Sequence, residues 1–276
     1  MSNFAVSAAL TAAIALLPAI ADAQTPKRGG ELRFAVSAEP PDYDCHAATS
    51  FAFIHPVRPH YNTLLKFDPA NYPKVVGDLA ESWEQSADGL TYTFKLKQNV
   101  KFHDGTPMTS EDVKASYERI RNPQGGARSI RQAVYEDIES IETPDEYTVV
   151  FKLKKPNASM LTNFASPWDC IYSAAKLKED PKFPERNILG TGPFKFVEHA
   201  AGSHWVGERF EDYHVEGRPY LDRYRAIFIT NTAARVNALQ AGEVLSEFRG
   251  HSPADRDKLV AALGDKVEVL ESPWIC

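Results

Sequence analysis

The sequence predicts an α/β fold, and three observations carry that prediction. Short stretches of alternating polarity recur along the chain, as in Leu32, Phe34 and Val36 against Arg33 and Ala35. A capped helix follows Thr109, and the last third changes element type at short intervals, in a strand, helix, helix, strand order.

The elements are justified in order. The strand at Leu32–Val36 is stopped by Ala38-Glu39-Pro40-Pro41-Asp42. From Tyr43 to Tyr61 the pattern is irregular, rich in His, Pro and aromatics, and reads as a long loop with room for one helical stretch. Asp88-Gly89 is a turn before a strand in which Tyr92, Phe94 and Leu96 alternate with Thr91, Thr93 and Lys95. Thr109 starts a helix, Asp112 completes its capping box, Val113, Tyr117 and Ile120 form its apolar stripe, and Asn122-Pro123 ends it. Val149, Phe151 and Leu153 make a strand after a turn at Pro144-Asp145, and Phe194 to Val197 another after Gly190-Thr191-Gly192-Pro193. Ala226 to Ile229 is a buried strand, and Ala233 to Ala241 a helix closed by Gly242. A second helix has Ser252 as N-cap, Pro253 at its first position and Gly264 as terminator, and Lys266 to Leu270 is then expected as a strand. There is no internal repeat and no low-complexity linker.

Composition narrows the function classes. The 276 residues are 43% hydrophobic, enough for a substantial core, and carry a formal charge of -6 from 37 acidic and 31 basic residues with no run of five like charges. That balance offers no footprint for nucleic acid. Phe4 to Ile20 is apolar apart from Ser7, Thr11 and Pro18 and gives way to Ala21-Asp22-Ala23, a signal-peptide core with cleavage expected after Ala23. The run falls short of the roughly 20 apolar residues of a membrane span. No Lys or Arg precedes it, where a basic segment belongs, which points to a start upstream; no Cys follows at a lipid-attachment spacing, so a soluble periplasmic protein is expected. Export makes disulfides possible, and the three cysteines, Cys45, Cys170 and Cys276, leave an odd one.

An exported hydrolase is the rival class, because His46, His55, His60 and His103 lie among acidic and hydroxyl residues. The sequence holds neither a G-x-S-x-G elbow nor an H-E-x-x-H pair. Pro56 and Pro59 between His55 and His60 speak against a regular helix there, so no metal site is expected. A chaperone-like interaction protein is the third class.

Four ordered blocks carry a resemblance. Leu79 to Arg119 reads LAESWEQSADGLTYTFKLKQNVKFHDGTPMTSEDVKASYER, and with ELRFAVSAEPPDYD, ILGTGPFKF at Ile188 to Phe196 and ALQAGEV at Ala238 to Val244 it resembles the extracytoplasmic solute-binding proteins of family 5, the receptors of dipeptide and oligopeptide ABC importers. Residues 190–193 have too few glycines and no following helix for a phosphate loop, and read as a chain reversal. One departure is Leu245, where the family's G-E-x-D ending has an acid.

The resemblance implies a receptor without catalysis or cofactor, monomeric, that closes two lobes on a peptide or other small solute and presents it to a membrane permease. It implies a signal peptide at 1–23, a first lobe from 24–60 and 173–276, a β-rich subdomain inserted at 61–172, and a second lobe missing, so that the chain corresponds to the N-terminal half. The loop after the first strand touches ligand in related receptors, which places Thr49, Ser50 and Phe51 at the cleft, with Trp168 as a second candidate. The alternatives are core positions for Phe51 and Phe53, local turn bonds for Thr49 and Ser50, and a capping role for Trp168. The same layout brings Cys45 and Cys170 to one side of the lobe, where a disulfide is expected, and leaves Cys276 for a partner in the missing half.

Overall fold

The computed structural model describes residues 26–248 and 251–270, so the expected signal peptide and Cys276 lie outside the described residues. The chain begins with β1 (Glu31–Val36), α1 (Phe51–Val57), β2 (Leu65–Phe67), β3 (Val75–Gly77), β4 (Ala80–Gln85) and β5 (Thr91–Leu96). Then come α2 (Ser110–Arg121), β6 (Ile138–Asp145), β7 (Thr148–Leu153), α3 (Met160–Asn163), α4 (Ala174–Glu179) and α5 (Phe183–Arg186). It continues with β8 (Phe194–Ala200), β9 (His204–Arg209), β10 (Arg223–Phe228), α6 (Thr232–Gln240), β11 (Ser246–Glu247) and α7 (Pro253–Leu263). The α/β reading therefore holds.

Two larger sheets organise these elements, beside a two-stranded pair of β2 and β3. One has the order β11-β1-β10-β9-β8, with β1 parallel to both neighbours and the β10-β9-β8 side antiparallel. Its centre is covered on both faces: Phe34 and Val36 share a core with Phe53 and Val57 of α1, while Ala35 packs with Ala238 and Val244. Burial on both sides is what parallel strands require. The other sheet, β4-β5-β7-β6, is antiparallel throughout. Tyr92 and Phe94 of β5 face Phe151 and Val149 of β7 in register, and α2 lays fully buried Val113, Tyr117 and Ile120 on that layer. The capping box of Thr109 and Asp112 closes as expected, and Asp112 Oδ1 also accepts the Ala174 N–H at 2.8 Å.

The structure corrects several expectations. An α-helix does form across Phe51–Val57 with Pro56 inside it. Pro56 stands in its last turn, where a missing N–H removes one bond, and the chain tightens at once into a 3₁₀ turn over Arg58–His60. Phe194 opens a longer strand than expected, hairpinned to β9, which the sequence reading missed. Residues 267–270 form no strand: a 3₁₀ turn covers Gly264–Lys266, and β11, two residues long, pairs with β1 alone. Residues 267–270 line a hollow with Ser246 and Glu247 of β11 but make no ladder with them, and alternation without those bonds is not a strand.

Gly190 and Gly192 run against the end of that 3₁₀ turn. A Cβ on Gly192 would stand 2.4 Å from the His60 carbonyl carbon and 2.5 Å from the Pro59 oxygen. Gly192→Ala is expected to cost about 1–3 kcal/mol by overpacking, read as a lower denaturant midpoint, whereas Gly105→Ala, with nothing within 4 Å, pays only for its positive φ.

His60 lies fully buried beneath this crossing. Its Nδ1–H donates to the Phe194 carbonyl at 2.8 Å and its Nε2 accepts the Trp205 indole N–H at 2.8 Å, so the neutral ring is the one that fits. Burial first, with His103 adding to it, lowers its pKa from 6.5 to about 3. The stability this contributes is present above pH 6.5 and is lost as the pH falls toward 3. Asp169 acts with the opposite sign, because burial raises its pKa from 3.8 to about 7 and its contribution grows as the pH falls through that window. In an Asp169→Asn background, denaturant unfolding at pH 7 and pH 4 is expected to show a steep loss that His60→Asn, weaker at pH 7, reduces in part, because buried His46, also lowered to about 3, supplies a further share.

Candidate functional site

The site is built from the loop that follows β1, and its first half is fastened by buried groups. Asp44, fully buried, receives Arg119 of α2 through Nη2 at 2.6 Å and Nη1 at 3.1 Å. Its Oδ1 also accepts the Tyr172 hydroxyl at 3.0 Å, and that hydroxyl in turn accepts the Cys45 N–H at 2.8 Å. His46 stacks near Tyr172 and faces the Cys170 carbonyl through Nε2 at 3.0 Å, while Arg119 Nη1 lies 3.0 Å from Nδ1. Arg119 donates, so the proton of His46 sits on Nε2; burial lowers this group to about 3 and keeps it neutral. Cys45 and Cys170 are joined as a disulfide with Cα atoms 6.0 Å apart.

The second half of the loop opens to solvent. Thr49 and Ser50 are exposed, Ser50 makes no side-chain cap to α1, and Phe51 is 36% exposed with its ring 5.4 Å from His55. His55 in turn meets Phe248 at 5.2 Å, just beyond β11, and Phe248 meets Phe34 of β1 at 5.1 Å. Trp168, half-buried, stacks on Phe53 at 6.1 Å and carries the Arg131 guanidinium 5.0 Å above its ring. All four residues expected at the cleft thus border the start of α1. Arg131, Arg119 and Phe248 were not anticipated; the signal for Arg119 was a cation between the stripe residues Tyr117 and Ile120.

Beneath α1 lies a hollow of about 560 Å³ walled by Leu32, Phe34, Ile54, Leu221, Tyr224 and Phe248. Its polar end is Asp78, buried and ringed by Asn62 Nδ2 at 3.0 Å, the Thr63 N–H at 2.9 Å and Lys66 Nζ at 3.0 Å. Burial alone would raise Asp78, but Arg58 and Lys66 outweigh it and hold the carboxyl below its ordinary value. Among the described residues no group of three or more His, Cys, Asp or Glu side chains could hold a metal ion. None of the described helices is long and apolar enough to cross a membrane.

Comparison with known proteins places this architecture. Residues 74–269 match the family described as bacterial extracellular solute-binding proteins, family 5 Middle. The glutathione-binding protein GsiB of Pectobacterium atrosepticum is 34% identical over 217 residues, 78% of this chain and 40% of that protein. The di/tripeptide-binding protein 2 of Pseudomonas aeruginosa is 33% identical over 256 residues, 85% of this chain and 48% of that one. Among solved structures, the binding protein AgaA of A. tumefaciens R10 in complex with agropinic acid superposes with a TM-score of 0.72 at 38% identity, covering 78% of this chain and 43% of AgaA. The chain spans less than half the length of each of these relatives. With the match running through β3 to α7 and the fold shared, the chain belongs to the bacterial extracellular solute-binding proteins of family 5.

Proposed function

We propose that the chain is the first-lobe portion of an extracytoplasmic receptor that captures a peptide or related small solute and hands it to an ABC permease. The observation that carries this is the family match across residues 74–269, a family of receptors and not of enzymes. Export with cleavage after Ala23 and a monomeric receptor belong to the same reading. The division into a lobe of residues 24–60 and 173–276 with an insert at 61–172 is supported by the two cores: one draws its members from Leu64 to Ile171, the other from Phe34 to Val57 and from Phe194 to Ala226, with Tyr61, Cys170 and Tyr172 at the ends of the insert joining the second.

Thr49, Ser50 and Phe51 form one wall of the cleft in this reading, and Trp168 stands behind them against Phe53. Pockets for small ligands usually enclose about 70–90% of the ligand surface, so one wall is insufficient, and the remaining length of the relatives supplies the other. The relatives bind glutathione, di- and tripeptides or agropinic acid by name, and a solute with carboxylate and amide groups fits that range. A hydrolase finds no support in the geometry, because His46 and His60 are buried, neutral and bonded to backbone carbonyls.

Native mass spectrometry of the full gene product is expected to show a co-purifying solute below about 1 kDa, and calorimetry to show its tight rebinding. Residues 24–276 alone are expected to bind it at least a hundredfold more weakly. Thr49→Ala with Ser50→Ala in the full gene product is expected to lower affinity about tenfold; unchanged affinity would remove the rim from the site, and tight binding by residues 24–276 would place the cleft elsewhere.

A further inference from the structure

The loop between α2 and β6 belongs to the second sheet's unit, yet its Arg131 reaches across to the loop after β1. Arg131 Nη2 donates to the Ala48 carbonyl at 2.9 Å, and Nη1 lies 3.3 Å and 3.4 Å from the carbonyls of Cys45 and His46. The neighbouring Ile130 N–H adds a bond to the His46 carbonyl at 3.3 Å. The guanidinium lies over Trp168 at 5.0 Å, and Trp168 is itself stacked on Phe53 of α1.

The fasteners along this loop differ in where they act. The Asp44–Arg119 pair, the disulfide and the Cys170 contact hold residues 44–46. Past His46, the local turn bonds of the Ala47 and Ala48 N–H groups reach back to Asp44 and Cys45, and α1 begins at Phe51. Arg131 Nη2 on the Ala48 carbonyl is a long-range hydrogen bond one residue from Thr49.

We infer that Arg131 is a positioning residue for the ligand-facing rim, and that Trp168 serves as the platform that orients Arg131 instead of a stacking surface for solute. The inference rests on the reading that Thr49 to Phe51 touch ligand. A planar fork suits the task, because two nitrogens in one plane reach three carbonyls while the face stacks on an indole; an ammonium group can do only part of this. The half-buried side chain contributes little to either core, and the disulfide holds Cys45 without it.

The test uses Arg131→Ala, Arg131→Lys and Trp168→Phe in the full gene product, with hydrogen exchange of residues 47–51 and calorimetric affinity for the solute that co-purifies with the wild type, or for trialanine where none does. The expected result is exchange at 47–51 about tenfold faster in Arg131→Ala, unchanged exchange in β4 to β7, an unchanged melting temperature, and affinity about tenfold lower; Arg131→Lys recovers part of both losses. Trp168→Phe, which keeps an aromatic face, is expected to bind nearly as the wild type does, and a hundredfold loss there would make Trp168 a direct contact and overturn its role as platform. Unchanged exchange at 47–51 overturns the positioning role outright. Faster exchange with unchanged affinity also overturns it; if Thr49→Ala with Ser50→Ala lowers affinity in the same assay, the rim reading survives that failure, and if it does not, both fall.

Discussion

The ion pair between Asp44 and Arg119 is the joint on which the two halves of the molecule meet. Both side chains are withdrawn from water, at 0% and 5% exposure, and the carboxylate is met by two guanidinium nitrogens and a tyrosine hydroxyl. Two charges leave water at a cost of several kcal/mol each, which only dense compensation offsets, and losing one partner of such a pair typically costs about 3–5 kcal/mol. Arg119 comes from the helix that covers the second sheet, Asp44 from the loop that leaves β1 of the first. Their separation of 75 positions means that neither half can relax independently of the other at this point.

A covalent bond lies beside that joint. The Cys45–Cys170 bridge closes a span of 125 positions, and the chain-entropy relation assigns a loop of that size roughly 5 kcal/mol. Because Cys45 follows Asp44 directly, bridge and ion pair restrain the same short stretch, and the exposed rim begins four residues further on. The rim thus exposes its side chains while its backbone is held close by, an arrangement that leaves little ordering entropy to be lost.

Legibility in the sequence followed the range of the interaction. The β5 and β7 strands, the capping box at Thr109 and the Ser252-Pro253 helix start depend on neighbours within a few residues, and the pattern of Tyr92, Phe94, Val149 and Phe151 exposed them directly. The helix through Pro56 was obscured because a proline rule written for helix interiors was applied to a last turn. The strand expected at 266–270 failed although Val267 and Val269 alternate well: they face the two-residue edge strand β11 across a shared hollow and make no ladder with it. Asp44, Arg119 and Arg131 look like ordinary surface charges in the sequence, since what buries them arrives from far along the chain. The rim residues and the cysteine pairing came from the resemblance and not from periodicity, because a loop held by contacts from far along the chain leaves no repeating trace.

The placement of β1 has a consequence for the order in which the molecule can be assembled. Its ladder partners are β10, in register from Glu31 with Arg223, and β11, from Phe34 with Ser246. The β4 to β7 sheet closes within residues 80–153, between neighbours in sequence or nearly so. A chain delivered N-terminus first therefore carries β1, an interior strand of its sheet, unpaired while everything up to residue 223 follows it. Loop-closure entropy on that scale must be met before the parallel pairing returns any free energy, and such pairings are the slow ones in folding. The polar interval of Arg33 and the short length of β1 keep that waiting strand from being a long apolar edge, which is the feature that invites pairing with other chains.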